Sequence, residues 1–146
     1  MVPCDLPADT SIEECAGKEE NECQKWLDLP LGRTAVDLSV KDEEDARLHK
    51  SQLITFLNQV AMDVAGSDLS ANALFLHATG FPPEITMRNL VSTYVYPNTL
   101  VVKKISGKIL RAYLEKDAEF FAMKEDGTIG VAKKYVEPKP QQYNYD

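Results

Sequence analysis

Histidine and cysteine are scarce in this chain: two histidines, His49 and His77, and three cysteines, Cys4, Cys15 and Cys23, among 146 residues. A zinc centre needs clustered histidine and cysteine ligands, and here the two histidines fall on different predicted elements with no Cys-x-x-Cys spacing. The short convergent motifs of Asp, His and Asn that build a two-metal phosphatase site are missing too. The glycines form no phosphate-cradling loop of either common kind, and no serine sits in a nucleophile elbow. No apolar run approaches the ~20 residues of a bilayer span. The opening residues, Met1-Val2-Pro3-Cys4-Asp5, have neither a basic n-region nor an apolar h-region, so no targeting peptide is expected within these residues. There is no basic stripe, which excludes a nucleic-acid polymer as the expected partner, because such a partner requires neutralised phosphates. The chain is therefore expected not to be a complete enzyme. No catalytic residue, no metal ligand and no cofactor of its own are expected.

What is present is ordinary globular composition, with 44% hydrophobic and 27% charged residues, enough for one domain with a real core. The net charge of −7 is unevenly placed. Residues 1–28 hold eight acids against Lys18 and Lys25, whereas residues 29–146 hold 15 acids and 14 bases and are nearly neutral. The cysteines lie in the same acidic opening. On a helix, Cys15 and Cys23 would be about 12 Å apart, beyond the reach of a disulfide. Free thiols on a polar helix are expected.

Asp9-Thr10-Ser11 followed by Glu13 and Glu14 suits a helix N-terminus and predicts a helix to residue 27, anchored mainly by Trp26 and Leu27. Pro30 and Gly32 break it. Alternation of Val36, Leu38 and Val40 with polar residues predicts a half-buried strand over 34–40, and 41–45 reads as a charged loop. Leu53, Phe56, Leu57, Val60, Ala61 and Val64 form a helical stripe within a helix over 47–65, stopped by Gly66. His49, at its start, is expected to be solvated. A short strand is predicted over 69–76, a loop at Gly80-Phe81-Pro82-Pro83 and a short capped helix at 86–91. A strand over 100–105, a helix over 108–123 and a weaker strand over 128–136 follow. The order is that of one α+β domain, a mixed sheet with helices, preceded by a connector helix.

One stretch is chemically unusual: Tyr94-Val95-Tyr96-Pro97-Asn98-Thr99-Leu100. Pro97 fixes a turn that displays Tyr96 beside Asn98. An aromatic face with an amide can stack on a nucleobase or sugar and hydrogen-bond its edge. Alternatively, Tyr96 packs inward and Asn98 merely caps the turn.

The run Ile85-Thr86-Met87-Arg88-Asn89-Leu90-Val91, the tyrosine stretch, Ile105-Ser106-Gly107-Lys108-Ile109-Leu110 and Tyr113-Leu114-Glu115 together carry a resemblance. Gln24-Lys25-Trp26-Leu27-Asp28, Leu31-Gly32, Asn58-Gln59-Val60 and Tyr143-Asn144-Tyr145-Asp146 agree with it. Residues 24–146 resemble the C-terminal domain of the bacterial 5′-nucleotidase family, especially its 2′,3′-cyclic-nucleotide 2′-phosphodiesterase branch. The resemblance implies a division into an acidic connector helix, 1–28, and part of the substrate-recognition domain, 29–146, with that domain's final strands missing. It implies an N-terminal metallophosphatase domain that supplies divalent metals, and a secreted setting: extracellular, cell wall or periplasmic.

By the same resemblance, Tyr96 stacks on the base and Asn98 contacts it. In 5′-nucleotidases an Arg in the loop after the second strand often contacts substrate; here that loop is short and His77 is its nearest polar position, a departure from the family. Phe75 lines the pocket or belongs to the core. Arg88 reaches a phosphate or is solvated. The implied partners are a nucleoside or nucleotide and the metallophosphatase domain, and an exposed sheet edge would allow self-association. The alternative is a stand-alone module on the same fold that binds a protein or carbohydrate.

Overall fold

Four of the five described α-helices begin at a residue whose side chain accepts from a free first-turn backbone N–H. The computed structural model describes residues 9–75 and 77–136. Helix α1, Thr10–Leu27, starts at Asp9, whose Oδ1 accepts from the Ser11 N–H at 2.9 Å. It buries none of its residues, and Cys15 and Cys23 are free and exposed on it. The short helix α2, Glu43–Leu48, is capped by Asp42, and α3, Gln52–Ala65, by Ser51. Helix α4, Met87–Thr93, carries a capping box in which Asn89 Oδ1 accepts from the Thr86 N–H at 2.8 Å. Helix α5, Gly107–Ala118, is capped by Ser106.

The strands are short and form three antiparallel pairs. Strand β1, Pro30–Arg33, pairs with β4, Glu84–Thr86; β2, Leu38–Ser39, pairs with β3, Gly80–Phe81; and β5, Phe121–Met123, pairs with β6, Ile129–Val131. Helices and small antiparallel sheets make an α+β fold. Among the described residues no helix is long and apolar enough to cross a membrane.

The core gathers where β2, β3 and α3 meet: Leu38, Leu53, Ile54, Leu74, Ala78 and Phe81 are buried together, with Val40, Ala46, Leu57, Phe75 and Ile85 packed against them. Gly80 makes this closure possible. It has a φ of +72°, and a Cβ there would lie 2.2 Å from the Leu38 carbonyl oxygen. Thr93, 1% exposed, ties α4 to the same strand by donating its hydroxyl to the Gly80 carbonyl at 3.0 Å. Helix α1 is held to α4 by Arg88, which donates to Asp28 and Gln24. A smaller aromatic cluster, Phe120 with Phe121 and Tyr135, closes the β5–β6 hairpin.

Several expected elements take another form. The expected helix over 47–65 is two helices: Lys50 has a φ of 57°, and Ser51 restarts the chain as the cap of α3. The charged loop at 41–45 instead begins α2, because Asp42 accepts from the Asp45 N–H at 2.9 Å. Pro30 and Gly32 lie within β1, where a register irregularity falls between them. The strand over 34–40 shrinks to Leu38–Ser39, and the stretch over 69–76 contributes buried Leu74 to the core but forms only an isolated bridge at Ala73. Residues 100–105 form no strand and are exposed. The helix expected to residue 123 ends at Ala118, and its last residues turn back as β5.

Candidate functional site

Tyr96 and Asn98 lie in the loop that leaves α4. The helix ends at Tyr94, whose N–H donates to the Leu90 carbonyl at 2.8 Å, and the chain then turns tightly around Pro97, with the Asn98 N–H donating to the Tyr96 carbonyl at 2.9 Å. Proline fixes its own φ, so this turn is largely set before any ligand arrives. Tyr96 is 55% exposed and Asn98 is exposed beside it. Asn98 therefore keeps an accessible carbonyl acceptor and two amide donors.

Phe75 organises the aromatic side of the site. Its ring meets Tyr94 edge-on at 5.5 Å and 84°, and Tyr96 at 5.7 Å and 67°. Such edge-to-face pairs are favourable beyond the area they bury. Phe75 also packs against the core cluster, so the ring is rooted in the core and braces the exposed tyrosine. Tyr94 completes the group.

The remaining predicted residues are placed differently. Arg88 donates from Nη2 to Asp28 Oδ1 at 2.8 Å and to Gln24 Oε1 at 2.7 Å, so its guanidinium is engaged with α1. His77 follows Phe75 closely in the chain, and its side chain is 83% exposed. Its backbone has a φ of 58°, a left-handed conformation uncommon outside glycine, and its N–H donates to Glu43 Oε1 at 2.8 Å. Its Nδ1 lies 3.1 Å from the same oxygen. His49 is solvated at the end of α2, with Nδ1 2.8 Å from Asp45 Oδ1.

Two residues outside the predicted set support this loop. Arg47 donates from Nη1 to Glu43 Oε2 at 3.1 Å and from Nη2 to the Leu74 carbonyl at 3.3 Å. Burial pushes the Glu43 carboxyl upward, but the His77 N–H and the Arg47 guanidinium outweigh it and hold the group below the ordinary carboxylate range. The Glu-to-Arg spacing of four residues was the sequence signal for this pair. Its tie to Leu74 and His77 required the fold.

Among the described residues, no three His, Cys, Asp or Glu side chains converge in a way that would hold a metal ion. The described residues do not suit a resident metal. What the group of Phe75, Tyr94, Tyr96 and Asn98 offers is a recognition surface: an aromatic face for stacking and an amide for an edge.

The fold and the site thus define a small α+β domain with an exposed aromatic loop. Residues 30–143 match the family described as 5′-nucleotidase, C-terminal domain, and the chain belongs to that family. No curated protein matches the chain. Among solved structures, the chain is similar to a Staphylococcus aureus protein provisionally described as a 5′-nucleotidase, crystallised in complex with alpha-ketoglutarate. The TM-score is 0.82 at 28% identity, covering 99% of this chain and 28% of the other. The chain therefore spans well under half the length of that protein.

Proposed function

We propose that this chain is the nucleoside-recognition part of a metal-dependent nucleotide phosphoesterase, either a 5′-nucleotidase or a 2′,3′-cyclic-nucleotide 2′-phosphodiesterase. The observation that carries the reading is the exposed Tyr96 ring, braced edge-on by Phe75 and set beside Asn98 by the Pro97 turn, in a domain of the 5′-nucleotidase family. Tyr96 stacks on the base and Asn98 hydrogen-bonds its edge. Fixing the nucleoside in this way orients the phosphate ester, and orientation lowers the barrier without any bond being broken by these residues. Residues 1–28 act as the connector to a metallophosphatase domain that brings the divalent metals, and residues 29–146 as the recognition part. The family resemblance favours a secreted or cell-surface setting. Arg88, engaged with α1, is left out of the base-gripping set, and His77 serves through its backbone.

Calorimetric titration of the chain with adenosine and with AMP tests the proposal. Saturable binding that Tyr96→Ala weakens by about 1–3 kcal/mol supports it, whereas binding unchanged in that variant refutes it. A second reading, a protein- or carbohydrate-binding module that also self-associates, is favoured by one feature, the exposed apolar run Leu100, Val101, Val102 and Ile105. Concentration-dependent sedimentation without any nucleoside response would select it.

A further inference from the structure

The loop that carries Phe75 is held on both sides by one ion pair. Before Phe75, the Leu74 carbonyl accepts from Arg47 Nη2; after it, the His77 N–H donates to Glu43 Oε1. Glu43 and Arg47 also bind each other one helical turn apart on α2. The Arg47 side chain is only 10% exposed, and its Nε is buried with no partner among the described residues. Burying a guanidinium with an unmet donor is costly, and an apolar side chain would fill the same space at lower cost. The gain must then lie in geometry. Arg47 supplies a planar fork that reaches two acceptors at once, which neither an apolar residue nor lysine reproduces. The left-handed backbone of His77 points the same way, since a non-glycine residue holds that conformation only when its surroundings fix it.

We infer that Glu43 and Arg47 are positioning residues: their ion pair clamps the loop on both sides of Phe75 and so sets the ring that braces Tyr94 and Tyr96 for ligand stacking. The inference takes its ligand from the proposed nucleoside site, but its geometry stands apart from that reading. Side-chain packing in a core tolerates small displacements poorly, so a loosened loop moves the Phe75 ring against both tyrosines.

The test uses the full chain and the variants Glu43→Gln and Arg47→Lys, followed by NMR with AMP as the probe. In the wild type, ring protons of Phe75 show cross-relaxation with those of Tyr94 and Tyr96. In both variants the spectrum stays dispersed, these cross-peaks weaken, and AMP affinity falls about fivefold to tenfold. Arg47→Lys keeps the charge and loses the fork, so it decides the matter if Glu43→Gln fails to fold. Folded variants with unchanged cross-peaks and unchanged affinity overturn the inference. Global unfolding of both variants also overturns it, by assigning the pair to stability alone. If the wild type ignores AMP, the nucleoside reading fails, and the ring cross-peaks still decide the clamp.

Discussion

Replacing Gly80 with alanine separates a backbone approach from a mere conformational preference. Gly80 has a φ of +72°, and an added Cβ would stand 2.2 Å from the Leu38 carbonyl oxygen and 2.9 Å from Ser39 Cα and from the Val40 nitrogen. All three atoms belong to backbone, so no side chain can swing away. The left-handed conformation alone costs a non-glycine residue about 1–2 kcal/mol. Relieving the clash requires β2 to retreat from β3 by about 1 Å, which forfeits ladder hydrogen bonds at about 1 kcal/mol each and loosens Leu38 against Phe81. Together these give a loss of about 3–5 kcal/mol, a large part of a domain's total stability. Gly66 is the internal control: its φ is +62°, but nothing lies within 4 Å of its missing Cβ, so Gly66→Ala should cost only the conformational penalty, about 1–2 kcal/mol. Urea denaturation followed by far-UV circular dichroism measures both. If Gly80→Ala falls within about 1 kcal/mol of Gly66→Ala, the close packing of β2 on β3 is wrong.

Other expectations follow from the same structure. Leu53 is 1% exposed, so Leu53→Ala should cost about 2–5 kcal/mol in the same assay, whereas Val64→Ala, on the exposed side of α3, should stay within about 0.5 kcal/mol. The Glu43 carboxyl is depressed below its ordinary 4.5, so its contribution is complete above that value and is lost as the pH falls through the folded pKa. Stability measured down an acid series below pH 4.5 should therefore fall less steeply in Glu43→Gln than in the wild type. Hydrogen bonds from Lys116 and Lys134 hold the Glu119 carboxyl at about 2. Because both ion pairs are solvent-exposed, carbon-detected titration should show this midpoint climbing toward 4.5 as salt is added.

Local signals in the sequence were read well and partner-dependent ones poorly. The Asp9 cap and acidic first turn placed α1, the short capped helix expected at 86–91 is α4, and Gly66, which takes a left-handed φ, stopped α3. Each of these depends on residues within one helical turn. Strands depend on a partner that a single sequence does not name. Residues 100–105 have the composition of a strand, yet they form none, while Pro30–Arg33, with a proline and a glycine, becomes one because β4 lies alongside. The break at Lys50 was hidden because no proline or glycine marks it: residues 46–53 contain neither.

For the site, the Pro97 turn made Tyr96 and Asn98 legible. Phe75 was legible as a candidate with two open roles, since only the fold brings residue 75 against residues 94 and 96. Glu43 and Arg47 were invisible as site residues because their contacts with Leu74 and His77 span 27 and 34 positions. The landmark at 143–146 lies outside the described residues.

The most direct test of nucleoside recognition is a ¹⁵N–¹H correlation spectrum of the chain titrated with adenosine and then with AMP. The account predicts saturable shifts centred on Tyr94, Tyr96, Asn98 and Phe75, with affinity weakened in Tyr96→Ala by about 1–3 kcal/mol. A dispersed spectrum that ignores both ligands, or shifts centred away from those residues, would contradict it.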